Sequence, residues 1–318
     1  MNELISILNA DLLVATLRLS TPITLAAVGA VICERSGIIN IAMEGLMLIG
    51  AFFAALVTLL TGDPWLGMIG GALAGGLLSL LHAWASITLH LNQVISGAVI
   101  NILAFGLTRF LMVLCYGHPG TSDPVGKSLG EFRWAVPWLS EIPVIGRVLF
   151  HQTPIVYLSL LLVALLTWTM RKTTFGLHVR AAGEHPLALE TLGISVRRVR
   201  YAAVLISGLM SGLAGAYLAI ENGRSFTEGM TGGRGFIALA ANISGGWNAF
   251  GAFLASIVFG FVDALQLRFQ VVSTLKIPTE LFLIFPYIVT VVALAGLVKR
   301  SGAPGDLGND FMIEESTE

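Results

Sequence analysis

Charge is what this sequence has least of. Asp, Glu, Lys and Arg make up 12% of its 318 residues, against roughly a quarter in a soluble domain. The formal net charge of -1 argues against a nucleic-acid partner, since such a domain is strongly basic. Cysteine is almost missing: Cys33 and Cys115 lie in apolar runs without metal-ligand spacing, read as small buried hydrophobes, and fix no redox compartment. The N-terminus MNELISILNADLL has neither a basic n-region nor an A-x-A site, so no cleaved signal peptide is predicted. The six histidines form no HExxH and no ligand cluster. GTSDPVGKS, Gly120 to Ser128, places five residues between its glycines where a phosphate loop needs four, and one of them is Pro124. Asp263 and Glu228 have no acid–base partner at close spacing. The chain is expected to be no enzyme and to bind no cofactor or metal.

What is there is apolar. Hydrophobic residues reach 55%, mean hydropathy is +0.84, and glycine counts 36, as expected of membrane helices packed close together. The predicted fold class is an all-α polytopic membrane protein of about 8–10 transmembrane helices, since a span needs about 20 mostly apolar residues. Candidate spans are roughly 12–33, 39–60, 65–89, 92–116, 148–170, 201–220, 235–248, 250–270 and 281–298. HLNQ, His90 to Gln93, divides the third from the fourth, and GGWN, Gly245 to Asn248, divides the seventh from the eighth. The seventh is short enough to be a half-helix. Residues 1–300 read as one transmembrane domain and 301–318 as a polar tail.

Orientation follows from basic residues in the short loops. Segment 171–200 holds Arg171, Lys172, Arg180, Arg197, Arg198 and Arg200, and Lys299 with Arg300 follows the last span. Loop 117–152 has Lys127, Arg133 and Arg147, diluted by Asp123, Glu131 and Glu141. Segment 171–200 and the C-terminus are therefore predicted to be cytoplasmic, loop 117–152 to lie outside, and nine spans to put the N-terminus outside.

Two stretches invite a functional reading. ERSGIINIAMEG, Glu34 to Gly45, joins two apolar spans with very few polar residues. Glu34 and Arg35 read as marking the membrane edge. Asn40 and Glu44, four apart, read as one helical face offering hydrogen bonds to a neighbouring helix near a pathway. Gln93, Asn101, Asn242, Ser244, Asp263 and Gln266 either line a path for a polar solute or tie helices together. Gly208 and Gly212, at GxxxG spacing with Ser211 and Gly215, predict a packing face. EHPLALETLG carries the punctuation of a short helix: Pro186 in the first turn, Gly193 at C′, and Glu184 near the start. Leu189 and Leu192 are read onto one face, with Leu187 and Ile194 at its edges. So short a helix wants a partner surface, either its own membrane domain or another protein.

Three stretches resemble a known family: ERSGIINIAMEGLMLIGAF, TTFGLHVRAAGEHPLALETLGISVRRVRYAAVLISGLMSGLAGAYL and FTEGMTGGRGFIALAANISGGWNAFGAFLASIVFGFVDALQLRFQ. The chain is similar to permease subunits of ABC importers in the branched-chain amino acid, ribose and nucleoside branch, most of all the nucleoside (basic membrane protein-linked) permeases. The resemblance implies a type II importer fold in the bacterial inner membrane, and uptake of a nucleoside or related purine or sugar compound. It implies a coupling helix over Glu184, His185, Pro186, Leu189, Glu190, Leu192 and Gly193. The implied partners are a second, different permease chain, an ATPase carrying ATP and Mg, an extracytoplasmic binding protein and membrane lipid. Asn40, Glu44, Gln93, Asn101, Asn242 and Asp263 become candidates for the translocation path. The competing class is a self-sufficient secondary carrier or channel for a small polar solute.

Overall fold

Each long apolar run ends where the sequence offers a cap or a breaker. A computed structural model describes residues 10–126, 134–135, 145–272, 288 and 302–311. Helix α1 spans Ala10–Arg35 and α2 spans Met43–Thr61, closed by Gly62 in the left-handed conformation at φ 70°. Helix α3 (Pro64–Ala83) starts on Pro64, with the Asp63 carboxylate accepting the Trp65 N–H, and runs into a π-helical turn at Trp84–Thr88. Asn92 then caps α4 (Gln93–Tyr116) by accepting from the N–H groups of Val94 and Ile95. A two-residue ladder, β1 (Trp134–Ala135) with β2 (His151–Gln152), flanks the one-turn α5 (Ile145–Leu149). There follow α6 (Pro154–Lys172), α7 (Thr174–Glu184) and α8 (Pro186–Thr191). Helix α9 (Val196–Tyr217) ends in a second π-helical turn, Leu218–Asn222; α10 (Arg234–Ser244) and α11 (Ala249–Val272) complete the described helices.

Among the described residues seven helices are long and apolar enough to cross a membrane. They coincide with the expected spans to within about six residues at each end; span 281–298 lies outside the described residues. The seventh expected span is the 11-residue α10, about 16 Å long at 1.5 Å per residue. It is half the thickness of a hydrocarbon core, hence a half-helix. Introducing cysteine at the exposed Leu192 in a Cys115→Ser background is expected to give a thiol protected from an impermeant reagent in intact cells and labelled in inverted vesicles. Labelling in intact cells would reverse the topology.

The centre is built by close approach of backbones. Helix α9 lies against α3 and α2, and a Cβ on Gly212 or Gly75 would collide with the other helix: Gly75 would meet the Gly212 Cα at 2.6 Å, and Gly50 on α2 would meet the same atom at 2.5 Å. That is how small residues let helices associate where lipid removes the hydrophobic drive. The face over Gly208, Gly212 and Gly215 is this contact. Beyond the end of α4, Gly120–Val125 pairs with 224–228: Ser122 N–H donates to Phe226 O at 2.8 Å and Val125 N–H to Arg224 O at 2.7 Å.

Candidate functional site: the helix break and the short helix α8

The stretch between α1 and α2 is not a surface turn. Asn40 donates Nδ2 to the Ser207 Oγ at 2.9 Å, and Ser207 lies eleven residues into α9, about 16 Å along its axis. Nearer the start of α9, its fifth residue Arg200 donates Nε to the Ser36 carbonyl at 3.1 Å. The chain leaves α1 through a turn at Ser36–Gly37 and runs from Ile38 to Asn40, half-way along α9, outside any helix. Side chains meet its exposed backbone groups. Gln93 Oε1 accepts the Ile39 N–H at 2.8 Å, while His82 Nε2 lies 3.0 Å from the Ile39 carbonyl. Asn101 accepts the Gly45 N–H at 2.8 Å and donates to the Ile41 carbonyl at 3.0 Å. Irregular backbone at this depth persists only because protein satisfies it.

Glu44 has a specific task. Its two carboxylate oxygens accept from the N–H groups of Gly233 (2.8 Å) and Gly235 (2.7 Å), the start of α10. A buried carboxylate thus caps the positive end of a half-helix. Asn40 and Glu44 do not share a helical face as their spacing suggested, because α2 begins only at Met43 and Asn40 is in the extended climb.

The reading of Glu34 and Arg35 as edge markers is overturned. Glu34 is 2% exposed, and its Oε2 accepts Asn242 Nδ2 at 2.7 Å and Trp247 Nε1 at 2.6 Å. Arg35 donates Nε to the Trp247 carbonyl at 2.8 Å and lies 3.6 Å from Glu184. Together they fasten the end of α1 to the turn between α10 and α11, whose Trp247 sits at φ 50°.

In segment 171–200 the expected short helix exists, with different contacts. Pro186 opens α8 after His185, and Gly193 closes it at φ 78°. Gly193 N–H donates to Glu190 O (2.9 Å) and Ile194 N–H to Leu189 O (3.3 Å), a Schellman closure that brings Ile194 onto Leu189. Leu189 is consequently 3% exposed and belongs to the protein's own core, whereas Leu187 and Leu192 are 65% and 76% exposed. The single face expected for Leu189 and Leu192 is split because the helix stops at Thr191. Glu190 is also committed inward: its carboxylate accepts the Val196 N–H at 2.7 Å and caps α9. Glu184 is the last residue of α7 rather than the first of α8, so it gains nothing from the α8 dipole.

The polar tail expected at the C-terminus is a strap where it is described. Asp306 N–H donates to Gly183 O (2.8 Å), Gly308 N–H to Gly37 O (2.9 Å), and Gly305 N–H to Glu184 Oε2 (3.1 Å). Arg200, 3% exposed, joins this strap to everything near it. Besides Ser36 O it reaches Ala182 O (3.2 Å), Asn309 O (3.4 Å) and the Asp306 carboxylate (2.5 Å). Gly37 makes the approach possible: at φ 97°, a Cβ there would stand 2.8 Å from Arg200 Nη2.

Comparison with known proteins shows the family to which this arrangement belongs. The family described as branched-chain amino acid transport system / permease component matches residues 12–294. The chain belongs to this permease family. The guanosine ABC transporter permease protein NupQ of Bacillus subtilis is 41% identical over 91% of this chain and 92% of its own. The nucleoside ABC transporter permease protein NupC of Lactococcus lactis is 38% identical over 92% and 94%. A third relative, TsgC13 of Haloferax volcanii, is named for glucose and is 34% identical over 92% and 93%. The permease is an all-helical, multi-pass inner-membrane subunit of the ABC transporter class.

Of the six polar residues read as a possible path, five form interhelical ties at the break: Asn40, Glu44, Gln93, Asn101 and Asn242. Asp263, partly exposed on α11, stands apart from them. Arg200, Ser207 and Trp247, which hold the break of this permease, had no site role in the sequence reading. Arg200 was visible only as one of six basic residues in a cytoplasmic loop.

Proposed function

We propose that this permease imports a nucleoside, driven by ATP that partner subunits hydrolyse. The observation that carries the reading is the match to NupQ and NupC, each over more than 90% of this chain. ATP and Mg act on the partners, and this chain contributes no catalytic group and no cofactor site. The complex comprises a second, different permease chain, an ATPase and an extracytoplasmic binding protein. Within it the ties at the helix break hold the half-helix in register with α2 and α9, so that movement of the cytoplasmic face is transmitted to mid-membrane. Uptake by the reconstituted complex tests this. Labelled guanosine is expected to accumulate with ATP and to be outcompeted by nucleosides, but not by free ribose or glucose. Accumulation that follows an ion gradient without ATP would replace the reading with a secondary carrier, and competition by glucose alone would shift the solute to sugar, as in the name of TsgC13.

The ATPase contact is assigned to the tip of α8. Leu187 and Leu192 are exposed apolar residues on a basic, cytoplasmic segment, and buried leucine anchors at an interface cost about 2 kcal/mol or more each when truncated. Leu187→Ala with Leu192→Ala is expected to leave the permease folded but lower ATPase copurification by at least tenfold, whereas Leu189→Ala should lower thermal stability instead. Normal copurification of the Leu187/Leu192 variant would remove the assignment.

A further inference from the structure

Two cavities meet at the cytoplasmic ends of α6 and α11. The first, about 430 Å³, is a groove between these helices lined by Leu160, Val163, Trp168, Phe250 and Phe253, with Arg171 and Lys172 at its mouth. The second, about 200 Å³, is bordered by Arg35, Arg171 and Arg180 together with Trp247 and Asn248. They share Thr167 and Arg171, so the apolar groove opens onto the cationic cavity. Along α6 the groove runs from Leu160 to Arg171, about 16 Å at 1.5 Å per residue. One leaflet of hydrocarbon is about 15 Å deep, half the bilayer core. The rim carries more positive charge than it can neutralise: Glu184 is already taken by Arg35 at 3.6 Å and by the Gly305 N–H at 3.1 Å. Arg171 and Arg180 are exposed.

We infer that this is a binding site for one anionic phospholipid of the cytoplasmic leaflet. An acyl chain lies in the α6–α11 groove, and the phosphate sits among Arg171, Arg180 and Arg35, with Lys172 near the glycerol. A zwitterionic lipid would fill the groove but bring its own cation towards Arg171 and Arg180, and a free phosphate would meet the cations but leave Trp168 and Phe250 bare. The two cavities together call for a molecule with both parts. Basic pockets between helices on the cytoplasmic side are the usual place for such headgroups. The site touches the end of α1, both ends of the α6–α7 junction and the start of α11, so the bound lipid would tie the cytoplasmic face of this chain to the membrane. The inference is independent of which solute is carried.

The test uses the full-length chain in neutral detergent, with phosphatidylglycerol, phosphatidylcholine and inorganic phosphate as separate probes, and retained lipid counted by mass spectrometry. Phosphatidylglycerol is expected to be retained at least tenfold better than phosphatidylcholine. Phosphatidylglycerol with brominated acyl chains should quench Trp168, as judged against Trp168→Phe. Arg171→Gln with Arg180→Gln should weaken retention on the order of thirtyfold, and Arg171→Lys with Arg180→Lys should restore most of it while showing that the chain folds. Equal retention of the two lipids would overturn the proposal, as would stabilisation by inorganic phosphate alone. So would a glutamine variant that keeps its phosphatidylglycerol but loses its ATPase, since the basic rim would then be a protein contact.

Discussion

Glu44→Ala is expected to reduce uptake to less than a tenth and to lower the melting temperature of the purified permease by several degrees. The carboxylate accepts two N–H groups at the start of α10, at 2.8 and 2.7 Å. Hydrogen bonds to a charged group contribute about 1.5–3 kcal/mol each, and the cost rises when the donor left behind is buried. Water cannot readily replace the carboxylate here, because Glu44 is almost completely buried and a Cβ on Gly235 would already touch the Glu44 backbone nitrogen at 2.5 Å. The half-helix would lose both the partner for its first N–H groups and the charge that its dipole favours. Glu44→Gln offers one acceptor and brings an NH₂ against a donor, so it should fall between alanine and the native residue. Glu44→Asp, a methylene shorter, should not reach both glycines and should resemble alanine. Transport assays with parallel thermal unfolding decide this. Uptake above half the native level in Glu44→Ala would mean that the α10 start is held by other contacts.

Much of this fold was legible in the sequence, and the reasons are physical. A membrane helix must be long and apolar whatever its neighbours do, so Ala10–Arg35 or Gln93–Tyr116 announces itself by composition. The break at HLNQ and the stop at Gly193 are local, and local chemistry survives folding. The site was less legible because its bonds join residues far apart in the chain. Nothing in the four-residue spacing of Asn40 and Glu44 reveals that one meets Ser207 and the other Gly233 and Gly235. The spacing rule fails there because it presumes a helix, and side chains from α3 and α4 support an extended chain instead. Glu34 was misread for a related reason. A carboxylate beside an arginine at the end of an apolar run has the same sequence signature whether it faces headgroups or an indole N–H and an amide 2.6–2.7 Å away. Leu189 and Leu192 show the limit of periodicity in a helix of six residues. The Schellman closure, not the helical repeat, decides which leucine turns inward.

Arg200→Ala is expected to have the other large effect: loss of uptake together with release of the C-terminal strap. Arg200 is nearly inaccessible and donates to three backbone carbonyls, Ser36 O, Ala182 O and Asn309 O, as well as to the Asp306 carboxylate. These partners come from the helix break, the end of α7 and the strap, so one side chain closes the base of the break. Removing a buried charged partner typically costs about 3–5 kcal/mol, since what remains is buried and unpaired. Lysine cannot substitute: its ammonium is a single point on a flexible stem, whereas the guanidinium projects donors in several fixed directions. Arg200→Lys should therefore be nearly as damaging as Arg200→Ala. Asp306→Ala should be milder, because Arg200 keeps its three carbonyls and loses only one partner, whose side chain is 22% exposed. The readouts are uptake, melting temperature and the rate at which a protease removes the C-terminal residues from the folded permease. In Arg200→Ala that rate should rise at least tenfold, and in Asp306→Ala by less. If Arg200→Lys transports normally, or if the strap of Arg200→Ala stays as protected as the native one, Arg200 is not the group that holds the strap to the break.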